Sequence, residues 1–191
     1  MGGVRRPAVR PRGGPGALVG RGLLAATVVA GASLVLVVHT ASPAVTLPLA
    51  TAALVALVAL AAHQRRLPTL ATGEVAAAVV VLCAVAVARA PSGSTDLWSY
   101  AMYGRMVSHY HLNPYTRLPA EVLGDPVLGR IAPGWWGTAS VYGPAFTGLS
   151  AGLAAVTGSS LVAARLSYQM LAAASVIGLT VVLVRARTPA W

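Results

Sequence analysis

Lysine is absent from this sequence, and acidic residues number only four: Glu74, Asp96, Glu121 and Asp125. Charged residues make up 9% of the chain, against about 25% in an ordinary soluble domain. With 57% of residues hydrophobic, one water-facing globule cannot hide the apolar surface, so the composition excludes a soluble domain and points to an integral membrane protein. The single cysteine, Cys83, sits in an apolar run. It excludes a disulfide and a cysteine metal cluster, and it reads as a small core hydrophobe. All fourteen basic residues are arginine, for a net charge of +10. That charge is not a nucleic-acid footprint. Five of the arginines (Arg5, Arg6, Arg10, Arg12 and Arg21) crowd a Gly/Pro-rich amino-terminal stretch, where topology determinants of membrane proteins sit.

What the sequence does have is apolar runs. A transmembrane helix needs about 20 mostly apolar residues. Four segments approach this: residues 23–40, 44–62, 75–90 and 161–184. A fifth, 145–157, is too short and is interrupted by Gly148 and Gly152, so it reads as an interfacial or re-entrant helix. The expected class is therefore an all-α polytopic membrane protein with about four full transmembrane helices, one short membrane-associated helix and a large external loop. Residues 1–22 form a disordered basic cytoplasmic tail in this reading. Residues 23–90 hold three transmembrane helices, 91–144 form the loop, and 145–191 hold the short helix and the final span. The first span also has the basic, apolar and small-residue pattern of a signal peptide, but three further apolar segments favour an uncleaved anchor. Arg65 and Arg66 after the second span, and Arg185 and Arg187 after the last, fall on the amino-terminal side if 145–157 does not cross. The loop then lies outside.

The loop concentrates what the spans lack. Residues 91–146 contain nine of the eleven aromatic residues and three of the four acidic ones. Asp96 opens a segment, residues 96–108, that reads as a short helix along the membrane surface. Its carboxylate suits a helix N-cap, and equally a general base at the outer membrane face. Arg105 could grip a lipid phosphate or snorkel to bulk headgroups. His109 and His111 lack an evident third metal ligand and read as solvated. Asn113-Pro114-Tyr115 is a turn signature. Glu121 and Asp125 read as solvated turn residues. Trp135, Trp136 and Tyr142 suit either interface anchoring or a stacking platform for a sugar ring.

Taken in order, Asp96-Leu97-Trp98-Ser99-Tyr100, Gly104-Arg105-Met106-Val107, Asn113-Pro114-Tyr115-Thr116, Leu123-Gly124-Asp125-Pro126, Trp136, Thr138 and Tyr142-Gly143-Pro144 resemble the amino-terminal part of the polyprenol-phosphate-mannose-dependent α-1,6-mannosyltransferases. These are membrane glycosyltransferases of the GT-C class. The order and spacing of the motifs carry the resemblance, over roughly residues 45–185. It implies a polyprenyl-phosphate sugar donor, a glycolipid or lipoglycan acceptor of the cell envelope, and a plasma-membrane enzyme whose loop 91–144 faces away from the cytoplasm. The catalytic carboxylate of the family pattern falls on Asp96. Arg105, Asn113, Tyr115, Trp136 and Tyr142 are the expected substrate-binding residues. A divalent metal is compatible with these residues and not required by them, and no metal ligand is assigned. Family members continue for several hundred residues, so the chain reads as an amino-terminal fragment or a truncated product. A non-catalytic subunit that binds a lipid carrier is the alternative. A transporter fits less well, because the spans hold few ionisable residues.

Overall fold

A computed structural model describes residues 14–38, 42–91 and 94–187. Most of the expected tail, including Arg5, Arg6, Arg10 and Arg12, lies outside the described residues. Six helices follow one another: α1 (Pro15–Val37), α2 (Pro43–Arg66), α3 (Thr72–Ala88), α4 (Asp96–Ser108), α5 (Pro144–Thr157) and α6 (Leu161–Arg187). There is no strand among the described residues. Three helices, α1, α2 and α6, are long and apolar enough to cross a membrane. α3 has 17 residues, about 25 Å of helix against a hydrocarbon core of about 30 Å.

α1 begins well before the expected start of the first span. Pro15 occupies the first turn, where its missing N–H costs no hydrogen bond. The stretch from Pro15 to Gly22, expected in the disordered tail, is thus helical. Its Arg21 is not a free topology charge: Nε pairs with Glu74 Oε1 at 2.7 Å.

The chain forms two compact units, residues 1–85 with 180–191, and residues 86–179. In the first, α1 packs against α2, and polar groups close one end of the pair. His63 Nε2 lies 3.0 Å from the Gly16 carbonyl oxygen, and Gln64 Oε1 accepts the Thr69 and Leu70 N–H groups. At Gly20 a Cβ would overlap Thr69 Oγ1, so glycine lets the turn after α2 approach α1. Large apolar side chains such as Leu18, Leu47 and Leu54 point outward. A helix apolar on all sides and exposed in this way is built for lipid.

The second unit has the only core that gathers aromatic and polar groups among the described residues. Met102, Tyr103 and Met106 of α4 are almost fully buried, together with Val122, Val127, Leu128 and Ile131 of the following loop and Tyr168 of α6. Burying each such side chain is worth about 1.5–3 kcal/mol. α4 is therefore a core helix in this unit. Its Gly104 meets α5 backbone to backbone, since a Cβ there would overlap the Ser150 carbonyl oxygen. Residues 109–143 form no long helix but are pinned. Tyr103 Oη donates to the Thr138 carbonyl at 2.8 Å, Ser140 N–H to Pro114 at 2.7 Å, and Ala120 N–H to Trp136 at 2.9 Å. Gln169 Nε2 donates to the Ala86 and Arg89 carbonyls, closing the carboxyl end of α3.

Candidate functional site

Asp96 is the first helical residue of α4. The N-cap position falls to Thr95, whose side chain makes no capping bond. The backbone N–H of Asp96 is held by Ser94 Oγ at 3.0 Å, and the residue is exposed. The capping role open to its side chain is not realised: the carboxylate accepts no hydrogen bond and joins no ion pair among the described residues. It is a free acid on a fixed helical turn. Next to it, Tyr100 packs edge-on against Tyr142 (ring centroids 4.7 Å apart) and against Phe146 (5.0 Å). The Tyr142 phenol is pushed up to about 12, chiefly by burial, with the neighbouring Tyr100 and Asp96 charges adding to it. Asp96 thus makes itself felt at Tyr142, and the two sequence-predicted residues share one locale. Leu97, Tyr100, Phe146, Tyr168, Leu171 and Ala172 line a mostly apolar slot of about 380 Å³ there.

Arg105 lies elsewhere and is held by two partners. Its Nε pairs with Asp125 Oδ2 at 2.7 Å, with side chains only 6% and 0% exposed. Its Nη1 donates to the Gly158 carbonyl at the end of α5. Asp125 also accepts the Tyr110 hydroxyl at 2.8 Å and the Val127 N–H at 2.8 Å. Burial first, and then the bond to Asp125, raise the Tyr110 phenol above its ordinary range. Two expectations are corrected by this. Asp125 is no solvated turn residue, and Arg105 neither snorkels nor reaches a lipid phosphate: one buried pair ties α4, α5 and the loop together. Glu121, by contrast, is exposed, pairs with Arg117 and accepts the Leu118 N–H at 2.8 Å.

Asn113 and Tyr115 form a third locale. Asn113 Oδ1 accepts the Tyr115 N–H at 3.0 Å, an Asx turn set by the proline between them. Tyr115 Oη donates to Thr147 Oγ1 of α5 at 2.9 Å. Both residues line a cavity of about 520 Å³ at the carboxyl end of α4. Trp136 is half-buried against the core, with its indole N–H directed at the Ile131 carbonyl. It braces the loop against the core. His109 and His111 gather no third ligand, and no group of three or more His, Cys, Asp or Glu forms among the described residues.

Two features were not read from the sequence. Arg130, exposed, places its guanidinium 5.8 Å from the Trp98 ring centroid in the first turn of α4. Thr147 meets Tyr115 across 32 residues. Neither has a local sequence signal, because each depends on how the loop folds back.

The family model described as "Alpha-(1->6)-mannopyranosyltransferase, N-terminal domain" (MptA_B family) matches residues 14–188. Searches of curated proteins and of solved structures returned no match. The matched region takes in all three locales, the free Asp96, the buried Arg105–Asp125 pair and the Asn113–Tyr115 turn, and the chain belongs to the MptA_B family of mannosyltransferases.

Proposed function

We propose that this chain carries the transfer site of a GT-C-type mannosyltransferase that takes its sugar from a polyprenyl-phosphate donor. In this reading α3 joins α1, α2 and α6 in crossing the plasma membrane, and residues 91–144 lie on the extracytoplasmic side. The observation that carries the reading is the Asp96 carboxylate, exposed and unpartnered beside Tyr100 and Tyr142. An acid fixed in position but left without a hydrogen-bond partner is free to take a proton. Beside it, the slot lined by Leu97, Tyr100, Phe146, Tyr168, Leu171 and Ala172 suits a prenyl chain.

Asp96 removes the proton from an acceptor hydroxyl. The oxygen forms a bond to the anomeric carbon of the donor as that carbon's bond to the phosphate oxygen breaks. The electron pair leaves with polyprenyl phosphate, and a β-linked donor gives an α-linked product. Negative charge grows on the departing phosphate, where a cation lowers the barrier. Arg105 is engaged in its buried pair, so this role passes to Arg130, the exposed guanidinium held against Trp98. The acceptor is a glycolipid or lipoglycan of the cell envelope.

Asp96→Asn keeps the shape of the side chain and removes the base. Mannosyl transfer from polyprenyl-phosphate mannose by the full chain is expected to fall about 10²- to 10⁴-fold. Undiminished transfer would remove Asp96 from the mechanism.

A further inference from the structure

The cavity at the far end of α4 takes no part in the transfer step. Its walls are the carboxyl-terminal turn of α4 at Val107, the Asn113–Tyr115 turn, and the first turns of α5 at Pro144, Thr147 and Gly148. It shares no residue with the slot beside Asp96. Asp96 and Val107 are eleven residues apart on one helix, about 16 Å along its axis, while Phe146 of the slot and Thr147 of the cavity are neighbours on α5. We propose that this cavity is a second carbohydrate subsite. Resting on the transfer reading above, it holds the non-reacting sugars of an extended, neutral mannoside acceptor while the reacting end lies at Asp96.

Chemistry selects the class of ligand. Neither a carboxylate nor a guanidinium lines the cavity, and its one basic group is the His111 imidazole, so a phosphate head would find no permanent countercharge there. The polar groups present are those that match sugar hydroxyls. Asn113 uses its side-chain oxygen in the turn and keeps both amide hydrogens without a partner among the described residues. Tyr115 donates its proton to Thr147 and keeps a lone pair. Thr147, accepting that proton, keeps its own hydrogen to give. The Tyr115 side of the wall is 40% exposed, which leaves aromatic surface for the C–H face of a sugar ring. Pro114 and Pro144 stiffen the two walls. His111, also on the lining, has φ +52° and is the one described non-glycine residue at positive φ. A volume of about 520 Å³ is within the usual range of small-ligand sites.

Gly148 supplies the test. A Cβ there meets nothing within 4 Å, so Gly148→Leu starts a side chain in open space on the cavity wall and replaces a weak helix former by a strong one. The purified full chain in detergent would be titrated with an α-(1→6)-linked mannotetraose, without donor, by ligand-observed NMR. The wild type is expected to bind, and Gly148→Leu to lose at least tenfold in affinity. Gly152→Leu, one turn further on and equally unobstructed, serves as the control and should bind as the wild type does. Tyr115→Phe, which removes one hydroxyl, should weaken binding even if the leucine variant proves unstable. No binding by the wild type, or full binding by both Gly148→Leu and Tyr115→Phe, would overturn the subsite. Because no donor is present, the outcome is independent of turnover. Binding that survives in the cavity while Asp96→Asn still transfers mannose would sink the catalytic assignment alone.

Discussion

The two compact units use the same apolar alphabet to opposite ends. In the first, α1 and α2 turn leucine and valine outward: Leu18, Leu47 and Leu54 are each more than 60% exposed, and the buried residues of the two helices are Ala17, Gly20 and Leu60. In the second, a helix of only 13 residues, α4, buries seven of them, including Ser99 and Arg105. A helix surrounded by lipid gains little from burying apolar side chains against protein, because lipid tails are just as apolar. The first unit is accordingly held by small-residue contact and a polar knot at one end. The second carries an internal core and an internal ion pair. Structure that a membrane does not require is built where a site has to be held.

The sharpest way to break this contrast is to delete one acid in each unit. Asp125→Ala strands a guanidinium that is 6% exposed. An uncompensated buried charge costs about 3–5 kcal/mol, and the loop would also lose the Tyr110 and Val127 bonds to the same carboxylate. Equilibrium unfolding in detergent should register this, and limited proteolysis should cut between residues 109 and 138 much sooner. Glu74→Ala breaks an ion pair whose arginine is 48% exposed. Exposed pairs contribute little, and the Ala71 N–H bond to the same carboxylate is worth about 1 kcal/mol, so its unfolding midpoint should fall only slightly. Equal effects from the two substitutions would mean that the buried pair does not organise the second unit.

How much of this was legible in sequence depends on the range of the cause. The helices could be read because apolar runs and the breaks around Pro43, Pro91 and Pro144 act locally. Asp96 as a candidate acid could be read because an isolated carboxylate ahead of an aromatic helix is conspicuous in a chain with four acids. The start of α1 was missed because Gly- and Arg-rich composition outweighed Pro15 as a helix-initiating residue. Arg105 and Asp125 are separated in the reading because they stand 20 positions apart, and each taken alone resembles a surface group. Only the loop's return brings them together. Gly104 did carry a hint: an isolated glycine inside a helical pattern often marks close packing, and here it marks contact with Ser150.

That glycine gives the next, smaller test. Gly104→Ala forces a methyl group into the Ser150 carbonyl, which is backbone and cannot rotate away. Overpacking of this kind costs about 1–3 kcal/mol. At Gly22 of α1 an added Cβ meets nothing within 4 Å, so Gly22→Ala should be neutral or stabilise by up to about 1 kcal/mol through helix propensity. Opposite signs in unfolding experiments would confirm that close backbone contact belongs to α4 and α5. A neutral Gly104→Ala would show that α5 can shift without loss.

The smallest effect concerns one proton and locates Asp96 relative to the aromatic cluster. Burial first, and then the charges of Tyr100 and Asp96, push the Tyr142 phenol up from 10 to about 12. A tyrosine whose folded pKa lies above its unfolded value keeps its proton longer in the folded state. Its contribution to stability is therefore complete below about pH 10 and is lost as the pH rises towards 12. Ultraviolet titration should show phenolate absorbance rising near pH 12, and the Tyr142 transition is the one-tyrosine part of that rise that is lost in Tyr142→Phe. Asp96→Asn removes one of the charges that oppose ionisation, so the same transition should move to lower pH, by less than the burial contribution that remains. A midpoint unmoved by Asp96→Asn would place the carboxylate out of electrostatic reach of Tyr142. The acid and the aromatic cluster would then no longer form one site.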